Sequence, residues 1–420
     1  MFRTVLLLFG LILSLTSCSR PLTLLGEKVP LEGVNITIDP GHGDTKAYDR
    51  FRVGPSGERE EWINLRVAKR LAQKLRRAGA KVTMTRTSDK DVSLGGRATL
   101  AKLQASDLLV SIHHNGSNND PGMDLPIVYF FGPADMNPAS VDFAKTLMTE
   151  MRKQLEFEQP DAGAVYSDHL IYSSGTSILR NSIDHMPGVI GEAGFFTNAR
   201  GEARLKSRAY NQLEAEVYFQ AILHYFENGL PSAQPLLPDT LEYLDLNSAL
   251  VFELDDGFGS SFFEAGEFLV LQDADTIPAS WDPGRGLLTI QPKLSDENTV
   301  TFQVFGRNFK GNAIHPIPHR FLTKVGALYF SEEKWWQAFD KAEALFHHVE
   351  QDLGPESLAL IDEALHNYRL SLDLQIVHPQ ARQAEEAILV LLIMKEGFFE
   401  LDLSEEITAQ TYRLNQLYPQ

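Results

Sequence analysis

The chain has 420 residues, 43% of them hydrophobic, which is enough for two to four packed domains. Lys and Arg number 38 against 56 Asp and Glu, a net charge of −18, and this argues against a nucleic-acid-binding role, which needs clustered cations. The lone cysteine, Cys18, excludes an internal disulfide.

Residues 1–17 read as a signal peptide: Arg3 gives a positive start, Val5 to Leu13 a short apolar stretch, and small residues follow. Leu15-Thr16-Ser17-Cys18 resembles a bacterial lipobox, which implies lipidation of Cys18 and a membrane anchor. Ser19 permits outer-membrane delivery, so the expected location is the cell envelope, facing the periplasm. No later apolar run approaches the roughly 20 residues of a bilayer span.

Residues 33–228 alternate strand-like and helix-like pieces. Val34 to Ile38 reads as a buried strand stopped by Asp39-Pro40-Gly41. Asn64 to Ala78 carries Leu65, Ala68, Leu71, Ala72 and Leu75 at helical spacing. Strands are expected at Lys81 to Thr85, Leu108 to His113, Ile127 to Phe131 and Gly188 to Glu192, and helices at Leu94 to Leu103, Ser140 to Leu155 and Ala203 to Phe226. The pattern predicts an α/β domain with a mostly parallel sheet flanked by helices, whose ligand sites gather at the carboxyl ends of the strands. Residues 229–240, rich in Pro and small residues, read as a linker. Residues 241–330 show short strands between Gly, Pro and Asp clusters and read as a small all-β module. Residues 331–420 read as an α-helical module with some tetratricopeptide-like spacing around Tyr368. Both modules could carry protein partners or glycan.

Four pieces carry chemistry: Ile38 to Gly43, Glu60 to Leu65, Ser111 to Asn115 and Gly191 to Phe195. Three of them offer a His, a Glu and a His, a catalytic zinc set that leaves one position for water; the fourth offers a carboxylate that can move protons. Glu58 and Glu61 compete with Glu60 as a solvated helix start. His113 and His114 are adjacent on a strand, so only one of them can face a metal. His169 and His185 read as loop or surface residues.

In order, Ile-Asp-Pro-Gly-His-Gly, Glu-x-x-x-Asn-Leu, Ser-Ile-His-x-Asn and Glu-x-Gly-Phe-x-x-Asn resemble the zinc-dependent N-acetylmuramoyl-L-alanine amidases of bacterial cell walls. Weaker pieces accompany them: Met84-Thr85-Arg86, Leu94 with Arg97, and Ile178 to Asn181. The resemblance covers about half the chain. It implies a six-stranded sheet, a Zn2+ cofactor, and peptidoglycan as substrate, cut between muramic acid and L-alanine. It implies His42, Glu60 and His113 as metal ligands and Glu192 as the catalytic carboxylate. His114 is then a supporting or surface residue. Asn115 either positions substrate or supports its loop. Arg180 either partners Glu192 or holds a substrate carboxylate. The chain departs from the pattern between Asp44 and Arg52, where Lys, Tyr and Arg replace a Gly-rich stretch. Residues 156–177 show no clear helix that would block the site. A non-catalytic wall-binding protein and a stem-peptide carboxypeptidase are the rival readings.

Overall fold

The computed structural model describes residues 30–44, 52–237, 244–263, 268–295, 297, 299–323, 332–351, 354, 357–374, 380–399, 401 and 403–417. The signal-peptide and Cys18 readings lie outside the described residues.

The first unit is a six-stranded sheet in the order β2-β1-β3-β6-β4-β5. Its strands are β1 (Asn35–Pro40), β2 (Lys81–Met84), β3 (Leu108–Asn115), β4 (Pro126–Phe130), β5 (Ala164–Ser167) and β6 (Gly188–Phe195). β2, β1, β3 and β6 are mutually parallel, whereas β4 runs antiparallel to β6 and carries β5 with it. The sheet is therefore mostly parallel, as its alternating pattern implies.

Helices α1 (Glu60–Arg77), α2 (Leu94–Leu103), α3 (Pro138–Gln154), α4 (Ser177–Arg180), α5 (Ala199–Leu205) and α6 (Arg208–Glu227) cover it. On one face, Ile63, Val67, Leu71 and Leu75 of α1 pack with Phe143 and Leu147 of α3 and Tyr218 and Ile222 of α6. They meet Ile36, Ile38, Leu108, Val110 and Ile112 of the strands. On the other face, Ala98 and Ala101 of α2 and Ile178 and Leu179 of α4 meet Leu109 and Ile190. A side-chain period of two sends alternate strand residues to these two cores.

Two helices differ most from their expected bounds, while α3 starts two residues before Ser140 and ends one before Leu155. α1 starts four residues early, so Glu60 and Glu61 occupy its first turn, where the helix dipole favours negative charge. The single helix expected from Ala203 to Phe226 is two, because Ser207 caps α6 by accepting from the Tyr210 N–H. The stretch Glu156–Thr176 contains β5 and single 3-10 turns at Pro160–Ala162 and Asp168–Leu170.

Eight antiparallel strands follow. They are β7 (Ser232–Pro235), β8 (Leu250–Asp255), β9 (Leu269–Gln272), β10 (Asp275–Ile277), β11 (Ala279–Asp282), β12 (Leu287–Ile290), β13 (Thr299–Phe305) and β14 (His319–Leu322). They form two four-stranded sheets, β10-β9-β13-β14 and β11-β12-β8-β7, that share one core around Phe252, Leu288 and Phe302. β7 falls inside the stretch read as linker; it is an edge strand, the place where Pro235 is tolerated.

Contacts tie this module to the first unit near the amino end of β6. Asp142 Oδ2 accepts from Arg307 Nη1 at 2.8 Å and from the Ala313 N–H at 3.0 Å. Asn312 Nδ2 donates to the carbonyls of Tyr225 and Gly229 at 2.8 and 2.7 Å. Helices α7 (Glu332–Gln351), α8 (Ser357–Leu374), α9 (Ala381–Phe399) and α10 (Ser404–Leu417) make the last module, packed around Trp335, Phe339 and Tyr368. α10 leans on α2 so closely that a Cβ on Gly95 would stand 2.5 Å from the Glu405 carboxylate. No described helix is long and apolar enough to cross a membrane.

Candidate metal centre

The site lies at the carboxyl ends of β1, β3 and β6. β1 ends in Pro40, and the chain then turns through Gly41 to His42, whose φ of 58° is in the left-handed region. Two buried arginines hold that turn by its carbonyls. Arg86 Nε donates to the Pro40 carbonyl at 2.9 Å and its Nη2 to the Gly41 carbonyl at 2.8 Å. Arg97 Nη1 donates to the Pro40 carbonyl at 2.9 Å and its Nη2 to the His42 carbonyl at 2.7 Å. Arg97 Nη1 also pairs with Asp39 Oδ1 at 2.7 Å, and Asp39 accepts from Ser111 and Thr85. Burial alone pushes the Asp39 carboxyl up, but Arg97, Ser111 and Thr85 outweigh it and hold it below its usual value.

Glu60 comes from the first turn of α1 and is buried. Its Oε2 lies 3.1 Å from His42 Nε2 and its Oε1 3.0 Å from His113 Nδ1. Asn64, one helical turn on, donates to Glu60 Oε1 at 3.2 Å, as does the His114 N–H. Burial pushes the Glu60 carboxyl up, yet the two imidazoles outweigh it and keep it well below its usual value. Burial pulls His113 down, but Glu60 outweighs it and raises it; His42 is lowered, chiefly by burial. The His42 and His113 rings meet edge to face, with centroids 4.6 Å apart. One donor atom from each of His42, Glu60 and His113 lies within 4.8 Å of the others. Two imidazoles and a carboxylate converging in this way are a donor set for a divalent cation.

Glu192 on β6 is the register partner of His113 on β3. Its Oε2 is sealed from solvent and finds no hydrogen-bond partner among the described residues. Burial, with Glu60 adding to it against the opposing His113, pushes its carboxyl up to about 7. A carboxyl with one sealed oxygen left unbonded beside a cation cradle is a group poised to exchange protons near neutral pH.

The other sequence candidates separate. Glu61 is buried and paired with Arg59, and Glu58 with Arg66, so neither reaches the donor set. His114 points to the opposite face from His113, as strand alternation requires. It is not a surface residue: it is 1% exposed, with Asn64 Oδ1 2.8 Å from Nδ1 and Glu214 Oε1 3.1 Å from Nε2. Asn115 supports its loop: its Oδ1 accepts from the Gly116 N–H at 2.8 Å, and its side chain hydrogen-bonds Tyr129. Arg180 is exposed at the end of α4, and its guanidinium donates to Ser174 and Gly175. Among the described residues, no hydrogen bond or ion pair joins it to Glu192.

Sequence reasoning missed two residues here. Tyr129 on β4 is near Glu192, and burial with that charge raises its hydroxyl to about 12. Arg52 Nε stands 3.7 Å from Glu60 Oε2. The departure from the Gly-rich pattern was the only sequence signal for Arg52.

The profile of a family described as N-acetylmuramoyl-L-alanine amidase matches residues 36–224. An uncharacterized protein, YqiI of Bacillus subtilis, is 29% identical over 225 residues, 53% of this chain and 96% of that one. The N-acetylmuramoyl-L-alanine amidase LytC of the same organism is 29% identical over 202 residues, covering 47% of this chain and 37% of LytC. The probable cell wall amidase LytH of Staphylococcus epidermidis is 25% identical over 47% of this chain and 60% of its own length. This chain thus spans 37% of LytC and 60% of LytH, less than two thirds of either. Among solved structures, the amidase AmiC2 of Nostoc punctiforme is 28% identical over 46% of this chain and 97% of its own, with a TM-score of 0.40. By the profile match and these sequence relatives, residues 36–224 are similar to the N-acetylmuramoyl-L-alanine amidases.

Proposed function

We propose that this chain hydrolyses the amide bond between N-acetylmuramic acid and L-alanine in peptidoglycan, using zinc held by His42, Glu60 and His113. The observation that carries the reading is the convergence of these three donors beside Glu192, whose Oε2 is sealed from solvent. The donor set fits the ion: two nitrogens and one carboxylate, with the carboxylate already kept ionised by its neighbours.

Bound there, zinc supplies an electrophile for the scissile carbonyl and lowers the pKa of a water molecule. Glu192 takes up a proton and returns it to the leaving amine. A carboxyl with its pKa raised to about 7 does both at neutral pH, which an ordinary carboxylate does poorly. Asn64 and the His114 N–H fix Glu60 in rotation, and Arg97 fixes the His42 backbone, so the cradle is pre-organised.

We further read residues 1–17 and Cys18 as the signal and lipid anchor of an outer-membrane lipoprotein, on the sequence alone; metabolic labelling with palmitate tests this, and loss of label in Cys18→Ser supports it. Purified peptidoglycan incubated with the zinc-loaded protein tests the activity by mass spectrometry. New peptides with amino-terminal alanine, together with intact glycan strands, are expected. Shortened glycans or trimmed peptide carboxyl ends, without new amino-terminal alanine, overturn it.

A further inference from the structure

We propose that His114, backed by Glu214, positions the metal ligand Glu60 through the side-chain amide of Asn64. The proposal rests on the reading of His42, Glu60 and His113 as a metal centre and adds to it the residues that orient its carboxylate.

The four side chains form one buried line across three elements. Glu214 stands on α6, His114 on β3, and Asn64 and Glu60 on α1, one helical turn apart. None of the four is more than 3% exposed. Both Glu214 oxygens lie close to His114 Nε2, at 3.1 and 3.2 Å. His114 Nδ1 is 2.8 Å from Asn64 Oδ1. Asn64 Nδ2 donates to Glu60 Oε1 at 3.2 Å and to the Gly41 carbonyl at 3.1 Å.

The acceptors at the cradle end set the direction of this line. Glu60 and Gly41 present only oxygen to Asn64, so the amide turns its NH2 to them and its Oδ1 to His114. His114 Nδ1 then carries a hydrogen and donates it to Oδ1. On the other side of the ring, Glu214 closes on Nε2 and holds the imidazole in place. Without the Nδ1–H the amide can flip. Its oxygen would then face the Glu60 carboxylate and repel it from its place between His42 and His113.

Packing alone does not account for the pair. Two apolar side chains would fill the same space without taking an imidazole and a carboxylate out of water. The proton steps described above use neither His114 nor Glu214. What the pair supplies is direction: it leaves Asn64 one orientation, the one in which both its N–H groups point at the cradle.

The experiment turns on His114→Gln. Its amide nitrogen can take the place of Nε2 and keep Glu214 bonded, while the donor to Asn64 is lost. The metal-free variant should keep the wild-type circular dichroism and lose zinc affinity by roughly ten-fold or more, read by competition with a chromophoric chelator. In an Asn64→Ala background the same substitution should cost no further affinity, because the link it breaks is already gone. Unchanged affinity in His114→Gln, or an equal loss with and without Asn64, overturns the proposal. Imidazole 15N spectra of the metal-free wild-type protein decide independently of any variant's folding. His114 should carry hydrogen on Nδ1, and a bare Nδ1 overturns the proposal. If wild type takes up no zinc, the metal-centre reading falls, and the same spectra still decide whether His114 sets the Asn64 amide.

Discussion

His113 and Glu192 sit side by side on neighbouring parallel strands, in direct register across β3 and β6. Residues paired in this way project to the same face, so the sheet itself sets the separation of a metal ligand and a proton carrier. Glu192→Gln keeps the shape of the side chain and removes its proton chemistry. Amide cleavage should fall by roughly 10²-fold to 10⁴-fold, the usual worth of a general acid–base group. Zinc content by atomic absorption should stay at the wild-type value, because Glu192 is outside the donor set.

The raised carboxyl of Glu192 also carries a stability signature in metal-free protein. Burial favours the protonated form and lifts the pKa from its ordinary 4.5 to about 7. Between those two values the folded state binds more protons than the unfolded state. Stability therefore falls as pH rises through this window, and the deficit is complete above about 7. Glu192→Gln should be the more stable protein at pH 8, by on the order of 1–3 kcal/mol, and should match wild type at pH 4. Urea unfolding of both metal-free proteins at the two pH values checks it; equal midpoints at pH 8 would contradict the burial argument.

Gly41 is small because His113 leaves no room for anything larger. A Cβ at this position would lie 2.2 Å from the imidazole ring, far inside contact distance. Gly41→Ala must therefore swing His113 out of the donor set or move the His42 turn. Zinc affinity, read by competition with a chromophoric chelator, should drop by at least ~10-fold. Far-ultraviolet circular dichroism should be little changed, since the sheet core lies below the turn.

Much of this site was legible because its parts are short and local. The run Ile38 to Gly43 ends a buried strand, and Ser111 to Asn115 ends another, so pattern and topology place both imidazoles at one sheet edge. What was not legible depends on distant partners. His114 is buried by Glu214, 100 residues later in the chain, and strand alternation alone shows only that it faces away from His113. β5 has four residues, too few for a period to emerge, and β7 is hidden by Pro231 just before it and by Pro235 at its end. The reversal of β4 against β6 has no sequence signature, since strand direction is decided by how the connection crosses the sheet. Ser207 did carry a visible capping signal, which the continuous apolar spacing on either side obscured.

Arg97 is a positioning residue whose loss should be felt at the metal. It is 2% exposed and joins Asp39 to the carbonyls of Pro40 and His42. Arg97→Leu leaves the Asp39 carboxylate buried without its cation, a change that typically costs ~3–5 kcal/mol. The double variant Arg97→Leu, Asp39→Asn should recover part of that stability, because it removes the uncompensated charge. It should not recover zinc affinity, because the His42 carbonyl stays unsupported. Recovery of both would show that Arg97 serves the charge of Asp39 alone.

His315 should make the docking of the β-rich module sensitive to acid. Its Nε2 lies 2.7 Å from the Ile183 carbonyl of the first unit, so Nε2 carries the hydrogen and Nδ1 is the only site left for a second proton. Nδ1 is buried and has no hydrogen-bond partner among the described residues. Burial accordingly pulls the His315 pKa from 6.5 down to about 4, although the Ile183 carbonyl opposes the shift. Once the contact is broken, the imidazole regains its ordinary affinity for protons. Between pH 6.5 and about 4 the undocked or unfolded state takes up a proton that the docked state refuses, so stability is full above this window and is lost as pH falls through it. Wild type should lose up to ~3 kcal/mol more than His315→Gln between pH 7.5 and 4.5, read by denaturant midpoints. The glutamine variant can still donate to Ile183 but has no group that titrates. An identical acid dependence in the two proteins would place the imidazole in water and remove His315 from the interface.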